Sequence, residues 1–323
     1  MMSRYRKRLP QLEGRLFLAD AGLETVLSFQ QGFTLPSFAS FVLLEDERGR
    51  AALKAYFDQF ARLAQAQRTG LVLETPTWRA NPDWGQALGY NALALADANR
   101  DAVALLAEVR AAYDSPLTPV VISGNLGPRG DGYRAGLRMS AAAAHDYHLA
   151  QIATFSGTEA DMVSAFTITY PDEAIGIVDA AAACEMPVAI SFTLEMDGRL
   201  PSGDPLSDAV LRTDAETGNY AAYYMVNCVH PAHLAPALAK GGAWRERLHG
   251  LRANALRLSH AELDESTELD DGDPEALGEE YLALHNLLPR MNVVGGCCGT
   301  DERHVASIAR HLTGRAAGAG PPP

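Results

Sequence analysis

Short apolar runs recur along this chain, and nearly every one is followed by a stretch with the spacing of an amphipathic helix. This alternation constrains the fold most strongly, because a strand joined to the next by a helix pairs parallel to it, and a parallel sheet needs helices over its outer face. The spacing predicts strands at 16–19, 71–74, 119–123, 162–167, 187–193, 223–227, 251–254 and 292–295. It predicts helices at 50–68, 99–112, 141–155, 171–183, 232–247, 274–288 and 301–311. Eight strand and helix units within 323 residues predict an α/β protein, a single-domain (β/α)8 TIM barrel. Residues 12–313 are assigned to the barrel, 1–11 to an N-terminal extension, and 314–323, rich in Gly, Ala and Pro, to a disordered tail.

Charge and cysteine usage narrow the function. A formal net charge of -13 argues against nucleic acid and against an anionic membrane surface, leaving a small molecule as the expected partner. No run is apolar and long enough to span a bilayer, and no signal-peptide core follows the basic start. With only 4 cysteines, the expectation is a cytoplasmic protein whose thiols stay reduced and can bind metal. Whether it forms a homo-oligomer is left open.

In a barrel of this kind, polar residues at the carboxyl ends of the strands line the active site. Here those ends carry Asp20, Glu74, Thr75, Asn125, Cys228, Cys297 and Cys298. The pair Cys297-Cys298 stands in Val293-Val294-Gly295-Gly296-Cys297-Cys298-Gly299-Thr300. Neighbours on a regular strand point to opposite faces, so both sulfurs reach one ion only where the backbone bends, and Gly295, Gly296 and Gly299 are expected to permit that bend. Cys228 ends a second apolar run, Tyr223-Tyr224-Met225-Val226-Asn227. Three soft thiolates from two strand ends suit zinc, Zn2+. The competing readings are a disulfide between the vicinal cysteines and simple burial. Cys184 falls at the opposite end of its strand, and three ligands without a fourth suggest the open position of a catalytic metal, unless His230 or His304 completes a closed structural site.

A cationic ligand would bind against aromatic faces, for which Trp78, Trp84, Phe38, Phe166 and Tyr170 are the candidates. Trp78 lies nearest a strand end. The acidic segment 259–273 is read as a solvated loop, with a lid over the site as the sharper alternative.

Several segments together resemble the homocysteine S-methyltransferase family: Asp20-Ala21-Gly22-Leu23-Glu24-Thr25, Glu74-Thr75-Pro76-Thr77-Trp78, Ser123-Gly124-Asn125-Leu126-Gly127-Pro128, Val226-Asn227-Cys228 and Gly295-Gly296-Cys297-Cys298-Gly299-Thr300. The resemblance implies a zinc held by Cys228, Cys297 and Cys298 whose open position takes the acceptor thiol. It also implies a methyl donor as the second small-molecule partner, and a place in methionine biosynthesis. Asp20, Glu24, Glu74, Thr75, Trp78, Asn125, Phe166 and Asn227 become the expected substrate-binding residues, with no catalytic side chain beyond the metal centre. The sequence departs from the family at Phe166, where relatives carry a glutamate that holds the ammonium of homocysteine, and at Ala21. A zinc hydrolase with Asp20 or Glu74 as base, and a noncatalytic barrel with a structural zinc, are the alternatives.

Overall fold

A computed structural model describes residues 3–136, 138–238, 241–259, 262 and 270–314. Eight parallel strands close into a barrel in sequence order. They are β1 (Phe17–Leu18), β2 (Gly70–Glu74), β3 (Val120–Leu126), β4 (Met162–Ile168), β5 (Val188–Thr193), β6 (Tyr223–Val229), β7 (Leu248–Ala253) and β8 (Val293–Gly296). Pairing of Phe17 with Val293 and of Leu18 with Val294 completes the ring. One main helix follows each strand: α1 (Glu47–Gln67), α2 (Ala92–Tyr113), α3 (Ala141–Ser156), α4 (Pro171–Ala183), α5 (Leu206–Glu216), α6 (Pro231–Leu238), α7 (Pro274–Leu287) and α8 (Glu302–Thr313). Side-chain caps set several of the starts: Asp46 accepts from Gly49 N, Asn91 from Ala94 N and Ser140 from Ala143 N. No helix among the described residues is long and apolar enough to cross a membrane.

The chain differs from its sequence pattern in a few places. Helix α5 was not expected, because its buried stripe, Leu206, Ala209, Val210, Thr213 and Asp214, ends in two polar residues. Asp214 is buried with partners, accepting from Tyr224 Oη at 2.8 Å and from Arg247 Nε at 2.8 Å. The helix expected over 232–247 stops at Leu238; Gly241 and Gly242 have positive φ, and a 3-10 turn, Ala243–Arg247, leads into β7. Strand β7 starts at Leu248, ahead of the expected 251, since His249 and Gly250 interrupt its apolar run.

The basic start of the chain packs beneath the barrel. Asp161, fully buried before β4, accepts from Arg4 N at 2.8 Å, Tyr5 N at 2.6 Å, Ile122 N at 2.9 Å and Arg110 Nη1 at 3.1 Å. Arg6 donates to the carbonyls of Ser156, Thr158 and Ala160. Leu9 and Tyr5 close the lower end against the inward residues Phe17, Val72, Val121, Met162, Tyr223 and Val293. The expected tail lies outside the described residues except for Gly314.

Alternate residues of each strand point into the barrel. One step above that apolar layer the interior turns polar, with Glu74, Ser123, Ser164, Ser191, Asn227 and Arg252 all buried. Ser123 and Ser164 share a hydrogen bond of 2.7 Å, and Ser191 donates to Asn227 Oδ1 at 2.7 Å. Arg252 pairs with Asp20 at 2.5 Å and donates to the carbonyls of Gly296 and Ala21, each at 2.9 Å. Burial opposes the Arg252 charge, yet Asp20 and Glu74 beside it keep its pKa above the ordinary value. Glu74 has the opposite balance: burial outweighs the attraction of Arg252 and lifts its pKa from 4.5 to about 7.

A raised folded-state pKa means that the neutral carboxyl is the stabilising form. Its contribution is complete below the unfolded pKa near 4.5 and is lost as pH rises through about 7. Glu74→Gln cannot titrate, so the natural protein should lose roughly 2 to 3 kcal/mol relative to it between about pH 5 and about pH 8. Urea denaturation of both proteins at the two pH values checks this, and an unchanged difference in stability contradicts it.

Candidate metal centre

Cys228 lies in β6 one residue after the inward-facing Asn227, so a regular strand would point its sulfur outward. The backbone prevents this. Cys228 has φ +52°, and the pairing of β6 with β7 slips between Asn227 and Val229. Such a bulge re-aims one side chain at the rim of a barrel. Thr167 on β4 repeats the device, with φ +56° and a slip between Ala165 and Ile168. Asn227 joins the two, its Oδ1 accepting from Thr167 N at 2.9 Å.

The other two thiols sit on a turn that continues β8. Cys297 N donates to Ala253 O at 2.7 Å, Cys298 N to Asn254 Oδ1 at 3.1 Å, and Thr300 N back to Cys297 O at 3.1 Å. Among the three glycines expected to bend the chain, only Gly299 takes a positive φ, +78°. Gly295 and Gly296 belong to the strand, where a side chain at Gly295 would meet Asp20 O at 2.6 Å and one at Gly296 would meet Thr300. Their role is close approach, not bending.

These bends bring the sulfurs of Cys228, Cys297 and Cys298 within 4.8 Å of one another. The direct sulfur contact is between Cys228 and Cys297, whose Cα atoms are 5.5 Å apart, and not within the vicinal pair. Tyr133, from the loop after β3, places its hydroxyl 3.7 Å from Cys228 Sγ and 3.6 Å from Cys298 Sγ. Among the described residues no fourth His, Cys, Asp or Glu joins this group. His230 faces Glu280 at 3.1 Å, and His304 caps α8, contacting Asp301 at 3.1 Å and Asp271 O at 2.7 Å. Cys184 ends α4, away from the cluster.

The sulfurs line a cavity of about 520 Å³ at the carboxyl ends of the strands. Asp20, Glu24, Glu74, Thr75, Trp78, Asn125, Phe166 and Asn227 line it too, so the eight expected substrate-binding residues share one space with the three cysteines. Two acceptors within it are buried and unpartnered, Glu74 Oε2 and Asn125 Oδ1. Phe166 is 4% exposed, and the Arg252 guanidinium lies 5.1 Å from its ring centre. Of the other aromatic candidates, Trp84 and Phe38 reach the cavity, whereas Tyr170 is buried outside it, its hydroxyl accepting from Met139 N at 3.0 Å. From the acidic segment, Asp270 lines the cavity and Asp271 pairs with Arg303; residues 260, 261 and 263–269 are outside the described residues.

Sequence reasoning missed Arg252, Arg79, Asn254 and Tyr133. Arg252 did carry a signal, since a charge inside the apolar run of β7 has to be buried and therefore paired. Tyr133 lies in a loop with no periodic pattern and carried none.

The homocysteine S-methyltransferase family model matches residues 17–312. No curated protein matches. Among solved structures, the fold is similar to that of the homocysteine methyltransferase MmuM from Escherichia coli. Its oxidized form superposes with a TM-score of 0.75 at 19% identity over 94% of this chain and 99% of that one. The metallated form gives 0.73 at 18% identity with the same coverage, and the apo form 0.66 at 18% over 95% and 100%. The structural likeness speaks for the barrel alone, while the family match runs from the first strand to the last helix, so this chain belongs to the homocysteine S-methyltransferase family.

Proposed function

We propose that this protein is a zinc-dependent methyltransferase that moves a methyl group from an activated donor to the sulfur of a small thiol, homocysteine or a close relative. The observation that carries this reading is the cluster of three cysteine sulfurs within 4.8 Å of one another on a cavity of about 520 Å³. Three soft donors without a fourth protein ligand among the described residues fit a tetrahedral zinc with an open position. Zinc held there would accept the acceptor's sulfur as a thiolate at neutral pH, where a free thiol with a pKa of roughly 8.5 is mostly protonated.

The chain's own residues supply position and environment. The bulge at Cys228 and the turn over Cys297 and Cys298 fix the sulfurs, and Asn254 holds that turn through Cys298 N. The Tyr133 hydroxyl can donate to a cysteine sulfur and temper the negative charge of the cluster. Buried side chains close the barrel below, so two small reactants meet at one end of an enclosed space, which favours an in-line transfer through orientation. Of the two candidate bases for a hydrolase, Asp20 is committed to Arg252 at 2.5 Å, which leaves Glu74 as the one base that alternative could use. A cytoplasmic setting and a link to methionine synthesis accompany this proposal.

Zinc analysis of single variants tests the ligand set. Cys228→Ser, Cys297→Ser and Cys298→Ser should each lower zinc affinity at least tenfold, whereas Cys184→Ser should retain about one equivalent per chain. Full retention in any of the first three contradicts the assignment.

The second test concerns the acceptor. With Arg252 over the ring of Phe166 and Asp20 already paired, this corner of the cavity favours a thiol without an α-amino group. Loss of the carboxylate partner of a buried ammonium typically costs ~2 kcal/mol or more, about thirtyfold in affinity. Homocysteine should therefore be a poorer acceptor than 4-mercaptobutyrate, which differs only by the amino group, and Phe166→Glu should shift the ratio of kcat/KM towards homocysteine. Preference for homocysteine by the natural protein, with no gain in the variant, would contradict this and make Glu74 Oε2 the ammonium partner.

A further inference from the structure

The cysteine turn at the end of β8 lies between two loops. On one side, a side chain at Gly22, after β1, would collide with Cys297 O, and Gly22 N donates to Thr300 O at 3.2 Å. On the other, Ala255 N, after β7, donates to Cys298 O at 3.0 Å. From these two loops Leu23, Phe29, Phe38 and Leu256 line the cavity. The hydrogen-bonding side chains Arg79, Asp131 and Tyr133 reach it instead from the loops after β2 and β3. The wall that runs outward beside Cys297 and Cys298 is therefore mainly apolar.

Two rings of this wall are held out of the core by unusual backbone. Phe29 and Phe38 are each 46% exposed. Phe38 has φ +55° and Ser37 before it φ +54°, a left-handed pair without glycine, although Leu35 and Ala39 on either side are buried. Phe29 sits on a π-helical turn, Val26–Gln30, in which Val26 and Leu27 are buried. Strain of this kind gathers where ligands are clamped, and core packing does not account for it here, because neither ring is buried. Glu24 and Asp270 also border this wall. Glu24 accepts from Ser40 Oγ at 2.7 Å, and burial lifts its pKa above the ordinary value, so it is a poor counter-ion for a cationic ligand. At about 520 Å³ the cavity has the capacity of sites that enclose drug-sized ligands. We propose that Leu23, Phe29, Phe38 and Leu256 form a specificity wall for the acceptor, and that the acceptor is a thiol carrying an aryl or alkyl body of several carbons. Its sulfur would meet the cysteine cluster while its body lies along the two phenyl rings. This rests on the methyl-transfer reading and deepens it by naming the acceptor class.

Calorimetry on the zinc-loaded protein tests this without turnover. The probes are 3-phenylpropane-1-thiol, propane-1-thiol and 3-aminopropane-1-thiol, which share one thiol end and differ in what they carry at the other. Burial of the phenyl group predicts that the first binds at least about tenfold more tightly than either of the others. Phe38→Asn, which suits the left-handed backbone, and Phe29→Ala should each cut that ratio about threefold or more, and the double variant should bring it close to one. Equal binding of the phenyl and plain thiols, tighter binding of the aminothiol, or an unaltered ratio in the double variant overturns the proposal. So does a loss in the double variant confined to a sulfonium such as benzyldimethylsulfonium, which would assign the rings to the donor. If the double variant does not fold, an unaltered ratio in both single variants still overturns it. Selective binding of the phenyl thiol with no thioether formed from any methyl donor would instead sink the methyl-transfer reading and leave the apolar wall standing.

Discussion

Adjacent residues on a strand cannot point the same way, and the site depends on how this chain escapes that constraint. At β6 the escape is a bulge with Cys228 in the left-handed region; at β8 it is a turn closed by Gly299 and Thr300. Each bend is held from a neighbouring strand end. Asn227 ties the β6 bulge to the one at Thr167, and Ala253 O with Asn254 Oδ1 receive the amides of Cys297 and Cys298. A left-handed residue other than glycine is strained, so these hydrogen bonds have to over-determine the conformation if the sulfurs are to converge.

The same strand ends decide what else enters the cavity. Arg252 is fully surrounded: Asp20 takes its charge, two carbonyls take its N–H groups and Phe166 covers its face. A cation so placed neutralises the carboxylate at the end of β1 and leaves Glu74, one strand over, with a pKa of about 7 and one oxygen, Oε2, without a hydrogen bond. At the mouth, Arg79 between its two indoles sets a second positive point at the loop side. The cavity thus gathers three sulfurs, charged groups of both signs in its depths, and Arg79 with Asp131 at its mouth.

Much of this was legible in the residues. The period of the apolar runs located all eight strands, and strand-end logic collected Asp20, Glu74, Asn125 and the cysteines on one face. What escaped depended on long-range partners. Helix α5 hid because Thr213 and Asp214 are polar yet buried, which only the contacts with Tyr224 and Arg247 make tolerable. Gly295 and Gly296 were assigned a bend, whereas they are small because Asp20 and Thr300 crowd them, a demand visible only once β1 and the following turn are in place. Trp78 was read as a free aromatic face, and Arg79, its neighbour in sequence, turned out to occupy that face by folding back over it.

The central claim is that three cysteines hold a zinc whose remaining position is filled by the acceptor's sulfur. X-ray absorption at the zinc edge measures this most directly, with and without saturating acceptor thiol. The account predicts three sulfur neighbours at about 2.3 Å and one light neighbour at rest, changing to four sulfurs when the thiol is added. A resting site with a fixed imidazole, or a sulfur count that does not change on addition of the thiol, would contradict it.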